Sequence, residues 1–153
     1  MSQTIEESLA AMGITIPEAA APAANYLPYT RSGNLLFTSG QLPFRDGVLT
    51  ATGIVGADVS LEQGQEAARW CAVNILSQAR AALGDLGAIR RIVKISVFVA
   101  SAPDFTSQHL VANGASDFLV EALGDDGRHA RSAIGMACLP LNAPVEIEAI
   151  IES

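Results

Sequence analysis

Apolar and polar positions follow two different rhythms along this chain. Between Ser60 and Gly84 the rhythm is helical. Ala67, Cys71, Asn74, Ile75, Gln78 and Ala82 form one stripe, and Ala68, Ala72, Ile75, Ala79 and Leu83 form its neighbour. Ser60 is placed to cap this helix, Gln63 three residues on completes a capping box, and Gly84 and Gly87 supply the stop. From Ile92 to Ala100 the period shortens to two, as in a strand. Val93, Ile95, Val97 and Val99 fall on one face, and Lys94, Ser96 and Phe98 on the other.

The remaining segments carry weaker versions of the same two signals. Thr4 to Met12 reads as a short helix, with Thr4 and Glu7 as a capping box and Gly13 as the stop. Pro17 to Ala24 is rich in Ala and Pro and predicts an extended connector. Tyr26 to Arg31, a turn at Ser32-Gly33-Asn34, Leu35 to Thr38, and Val48 to Thr52 after Asp46-Gly47 predict a β-meander. Phe105 to Leu123 predicts a second helical segment interrupted near Gly114, with Phe118, Leu119 and Leu123 buried. After a polar loop at Gly124 to Gly127, Ser132 to Ala137 and Val145 to Ile151 predict two strands, with a turn from Pro140 to Pro144 between them. This order predicts an α+β fold, with two main helices on one face of a mixed, mainly antiparallel sheet. Its 153 residues suit one domain, with residues 1–20 as an N-terminal helix and connector.

Composition narrows the function. Half the residues are hydrophobic and 16% are charged, which excludes a disordered chain and suggests surface buried against copies of itself. The net charge is −7, Lys94 is the one lysine, and Arg90-Arg91 is the longest basic run. No nucleic-acid partner is expected, because such binding rests on clustered cations. Glu6 and Glu7 stand where a signal peptide would be basic, and no apolar run approaches a membrane span. The expectation is a cytoplasmic protein without a membrane partner. Cys71 and Cys138 read as buried free thiols, with a single disulfide left open by spacing alone.

Nucleotide and metal motifs are missing: no Walker loop, no GxGxxG, no GxSxG, no HExxH and no CxxC. His109 and His129, the only imidazoles, are candidates for proton transfer, although an exposed-loop or hydrogen-bonded histidine is the commoner reading of such a residue. Arg131 enters an apolar strand and suits bidentate capture of a carboxylate, although spacing alone favours an ion pair with Glu146 or Glu148 across the sheet. Those two acids share a face of the last strand. They read as a solvated face, or as one acid that handles a proton beside another in an ion pair. Lys94, alone in its strand, reads first as an interface ion pair. Ser39-Gly40-Gln41 reads either as a tight corner or as backbone amides at a pocket rim, where glycine permits close approach.

Several segments together resemble the Rid family, also called YjgF or L-PSP-like proteins. They are Ala21-Pro22-Ala23-Ala24 with Pro28-Tyr29, Thr38-Ser39-Gly40-Gln41-Leu42-Pro43, Ile92-Val93-Lys94, Phe98-Val99 and Asp104-Phe105. The most specific are Ala130-Arg131-Ser132, Leu139-Pro140 and Val145-Glu146-Ile147-Glu148-Ala149-Ile150. The resemblance runs from about residue 21 to the end. It implies a chorismate-mutase-like fold, a homotrimer with ligand clefts between subunits, and hydrolysis of reactive enamines and imines to 2-keto acids and ammonia, with no cofactor or metal. Carried over by position, Arg131 binds the substrate carboxylate and Glu146 positions the attacking water. Tyr29, Ser39 and Gly40 contact the ligand.

The chain also departs from the family pattern. Ala133 stands where many members have Cys, His129 replaces a Pro, and His109 replaces an Asn. The stretch from Phe105 to Arg131 is longer and holds Asn113-Gly114-Ala115-Ser116-Asp117. These changes fall on one wall of the implied cleft, so His109, His129 and Ala133 join the candidate ligand-binding set. A non-catalytic protein that binds a small carboxylate metabolite is the alternative. Ribonuclease activity, ascribed to some members, fits poorly with a trimer carrying three times the −7 of one chain.

Overall fold

The computed structural model describes residues 3–22 and 24–153. Met1, Ser2 and Ala23, the last of these in the connector and in the first family segment, lie outside the described residues. Helix α1 (Ile5–Ala11) opens with Thr4 and Glu7 in a reciprocal capping box. Helix α2 (Leu61–Leu83) does the same with Ser60 and Gln63, and ends at Gly84 with φ of +81°. That left-handed conformation is one glycine adopts without steric cost.

Five strands form the main sheet: β1 (Tyr29–Ser32), β2 (Leu35–Thr38), β5 (Arg91–Ala100), β6 (Ala130–Met136) and β7 (Val145–Glu152), in the order β1-β2-β7-β5-β6. All pairings are antiparallel except β5 with β6, which is parallel and is joined through helix α3 (Gln108–Leu123). Helices α2 and α3 cover one face. Beneath them Leu36, Ile95, Val97, Val99, Val145, Ile147 and Ile151 are fully or almost fully buried against Ile75, Leu76 and Leu119. Each such side chain contributes roughly 1.5–3 kcal/mol from leaving water. Among the described residues no helix lies on the opposite face. Phe37 and Ile134 are large apolar side chains exposed there, in register rows with Ile150 and with Phe98 and Glu146.

Four local expectations are corrected. The third piece of the meander does not join the main sheet: as β4 (Val48–Leu49) it pairs with β3 (Phe44–Arg45) in a separate two-stranded ribbon. Val93 is only half-buried, and Ile92 takes the core position, because the β5–β7 register shifts between Ile92 and Lys94. A bulge of this kind exchanges the faces of the residues on either side of it. Helix α3 is continuous through Gly114. A Cβ there would collide with the backbone carbonyl of Gln65, so this glycine lets α3 lie close on α2. Leu123 is half-buried rather than buried, and packs on the margin of the core.

Both cysteines are free. Cys71 is buried, with its Sγ 3.6 Å from the Val145 carbonyl, whereas Cys138 is exposed rather than buried. The connector after α1 is strapped to α2 by side chains. Ser77 donates to the Pro17 carbonyl at 2.6 Å, and Arg80 donates to the carbonyls of Ile16 and Pro17 at 3.0 and 2.9 Å.

Candidate functional site

The residues singled out in the sequence fall into two groups within one chain. The first lies on the edge strand β6 and the adjacent part of α3. Arg131 is paired in register with Ile95, a core residue, so its side chain points to the helix-covered side of the sheet. It makes no ion pair with Glu146 or Glu148, correcting the expectation drawn from spacing. Among the described residues the ion pairs are Arg91 with Glu152 and Arg128 with Asp125. Instead, Nη1 of Arg131 donates to Ser116 Oγ at 2.9 Å, and Nη2 donates to the His109 carbonyl at 3.2 Å. Of the five N–H donors on the guanidinium, these two bonds use two, and among the described residues three remain for an anion.

His129 belongs to this first group. Its Nε2 lies 2.8 Å from Ser116 Oγ, and its Nδ1 lies 2.6 Å from the Gly127 carbonyl. His109 lends its carbonyl to Arg131 while the residue itself is exposed. Ala133, paired with Val97, lies on the same face as Arg131 and packs partly against the core. Ser116 was not singled out for chemistry. The signal for it was present, because it lies in the longer stretch and two family departures flank the same wall.

The second group lies where β2 meets β7. From the Phe37–Ile150 pair to the Gln41–Ile147 bridge, the first strand uses one more residue than the second. The ladder bond of this segment is replaced by the Ala149 amide donating to Thr38 Oγ1 at 3.0 Å. The extra residue lifts Ser39-Gly40 out of regular pairing. Ser39 Oγ donates to the Leu27 carbonyl at 2.6 Å, and its amide donates to the Pro28 carbonyl at 2.8 Å. A Cβ on Gly40 would overlap the Glu146 carboxylate, so what approaches this glycine is a side chain of the same protein.

Glu146 is half-buried on the helix-free face, in register with Phe98. Burial pushes its carboxyl above the ordinary range, and the neighbouring charge of Glu148 adds to that. Glu148 shares the face but is exposed. Lys94, also on this face, is exposed and paired in register with Ile150 and Ala130, with no ion pair among the described residues. Tyr29 is half-buried at the start of β1, opposite Thr38. Ser39 and Gly40 line a cleft of about 690 Å³ with Tyr26, Pro28 and Trp70, and neither Arg131 nor Glu146 lines it.

The two groups do not meet within one chain. Tyr29 and Arg131 are on the outermost strands, four inter-strand steps apart. At about 4.8 Å per step, that is roughly 19 Å across the sheet. Arg131 and Glu146 project to opposite faces, with β5 between their strands. Among the described residues no group of three or more His, Cys, Asp or Glu is placed to hold a metal ion. No helix among them is long and apolar enough to cross a membrane.

Fold and residue set together define a chorismate-mutase-like α+β protein. The chain belongs to the YjgF family: residues 6–152 match the family described as "YjgF/chorismate_mutase-like, putative endoribonuclease". Protein TCP17 of Trypanosoma cruzi is 49% identical over 152 residues, covering 99% of this chain and 95% of that protein. The 2-iminobutanoate/2-iminopropanoate deaminase of Escherichia coli is 35% identical over 141 residues, covering 91% and 97% of the two chains. Among solved structures, Atu1372 of Agrobacterium tumefaciens, of unknown function, superposes with a TM-score of 0.92 at 56% identity, covering 97% and 91%.

Proposed function

We propose that this protein hydrolyses reactive imines or enamines of small carboxylates to 2-keto acids and ammonia, without a cofactor, in clefts between the subunits of a homotrimer. The observation that carries this reading is the division of the site. Arg131 on one edge strand and Tyr29 on the other are too far apart to share a small ligand within one chain, and Glu146 lies on the face away from Arg131. The edge of one copy against the neighbouring copy would bring the two groups to one ligand. The helix-free face, with Phe37 and Ile134 exposed, supplies apolar surface for such an assembly. The E. coli relative, an iminobutanoate and iminopropanoate deaminase by name, supports the substrate class.

The chemistry asks little of the protein. The C2 carbon of an imine is already electrophilic, so orientation and a fixed counter-charge lower much of the barrier. The three unused donors of Arg131 would take the carboxylate in a bidentate fork. Glu146 would hold the water and take its proton. Its raised pKa makes it a better base than an exposed carboxylate.

The test is keto-acid formation from freshly generated imines of several amino acids, for wild type and Arg131→Ala. The reading expects turnover that falls about 100-fold or more in kcat/KM in the variant, with the fold retained. No rate enhancement with any imine overturns it. Saturable keto-acid binding without turnover, lost in Arg131→Ala, would instead establish a carboxylate-binding protein.

A further inference from the structure

Two of this chain's departures from the family pattern meet beside Arg131. His129 stands in place of a Pro, Ser116 belongs to the longer stretch before it, and their side chains are 2.8 Å apart. The hydrogen-bond partners determine the direction of each bond. The Gly127 carbonyl can only accept, so the proton of neutral His129 is on Nδ1, which is 2.6 Å from it. Nε2 then carries a lone pair and can only accept from Ser116, so the Ser116 hydroxyl proton points at the imidazole. Arg131 Nη1 donates to the same Oγ at 2.9 Å. A hydroxyl has one proton and two acceptor positions. The proton and one acceptor position are used, which leaves one acceptor position on Ser116 Oγ next to the free donors of Arg131.

The surroundings hold this arrangement in place. Gly127 is buried, and a Cβ there would collide with the Leu119 carbonyl, so the turn that orients His129 is packed directly on α3. Gly114 likewise seats α3 on α2, two residues before Ser116. Ser116 and Arg131 are only partly buried, and β6 is an edge strand, so a ligand can approach from the side.

We infer that Ser116 and His129 form a proton relay at the Arg131 anchor, with Ser116 Oγ touching the ligand and His129 acting through it. The inference rests on the imine-hydrolase reading. There the balance is closed without any further reactant. Glu146 takes one proton from water as the water oxygen bonds to C2, the C=N π pair goes to nitrogen, and that proton passes from Glu146 to the nitrogen to give a carbinolamine. On its collapse the hydroxyl proton passes to Ser116 Oγ as the Ser116 proton passes to His129 Nε2. The C=O bond forms, the C–N bond breaks, and the proton returns by the same route to the departing nitrogen, which leaves as ammonia. Arg131 holds the carboxylate throughout.

The test uses the full chain and 2-imino acids generated in situ by an amino-acid oxidase. Ser116→Ala and His129→Gln should each lower kcat by about 100-fold, with KM changed less than about threefold. The double variant should be no worse than either single one, because the two residues act as a unit. Ser116→Thr, which keeps the hydroxyl, should recover most of kcat. The solvent isotope effect on kcat should shrink in Ser116→Ala. If wild type turns over and Ser116→Ala matches it in kcat, or changes KM alone, the pair merely positions Arg131 and the relay is overturned while the hydrolase reading stands. If wild type shows no turnover, the hydrolase reading falls and the relay with it.

Discussion

The Glu146 carboxylate occupies the space that a Cβ on residue 40 would need, so the absence of a side chain at Gly40 is what lets this acid take its position. A methyl at residue 40 would displace the far end of a flexible side chain rather than backbone. Gly40→Ala should therefore cost little stability, less than about 1 kcal/mol. Misplacing a catalytic group by about 1 Å can cost about 100-fold in rate. Keto-acid turnover should fall on that scale while the thermal midpoint stays close to wild type. A variant with full turnover would show that Glu146 needs no such placement.

Glu146 also links stability to pH. Its folded-state pKa is raised above its unfolded value, by burial first and by Glu148 second. The folded state therefore binds more protons than the unfolded state between those two values, and stability falls as pH rises through that window. Glu146→Gln removes the charged form. The variant should melt higher than wild type at pH 8, and the difference should vanish below about pH 4, the ordinary glutamate range. Melting curves at several pH values check both the sign and the window, and a difference that grew on acidification would contradict the assignment.

Gly114 contrasts with Gly40. What a Cβ at 114 would strike is the Gln65 backbone carbonyl in α2, which cannot swing aside. Gly114→Ala should force α3 away from α2 and lower stability by about 2 kcal/mol or more. Denaturant unfolding measures this directly. Because α3 carries Ser116, the same variant should also lower kcat for keto-acid formation.

The helix-free face should mediate self-association. Phe37 and Ile134 are 37% and 45% exposed there. Sedimentation of wild type is expected to give three times the chain mass. Phe37→Glu and Ile134→Glu should shift the distribution toward smaller species with unchanged far-UV circular dichroism, because neither side chain belongs to the buried core. Wild type sedimenting as a monomer would remove the between-subunit cleft from the proposed function.

Helices α1 and α2 were legible in the sequence because their signals are local. Ser60 with Gln63 and Thr4 with Glu7 satisfy orphan amides within one turn. Gly84 ends α2 through its own backbone conformation. The alternation in β7 was equally readable, since a strand with one buried face carries its pattern residue by residue. The family segments pointed to Arg131 and Glu146 as a pair, and nothing in their spacing indicated that β5 separates them and that they face opposite ways.

What only the tertiary structure decided concerns partners distant in sequence. Val93 and Ile92 look alike along the chain, and the register against β7 chose Ile92 for the core. Gly114 reads as a helix break until α2 is seen against it. The bond from Ser116 to His129 spans thirteen residues and depends on how a short turn packs on α3. Arg131 was expected across the sheet from an acid and instead bonds to Ser116 and the His109 carbonyl, because its strand runs parallel to β5 with this position on the helix side. Periodicity and capping are properties of a few consecutive residues. Register, close approach and the facing of a side chain are set by whichever distant segment supplies the other surface.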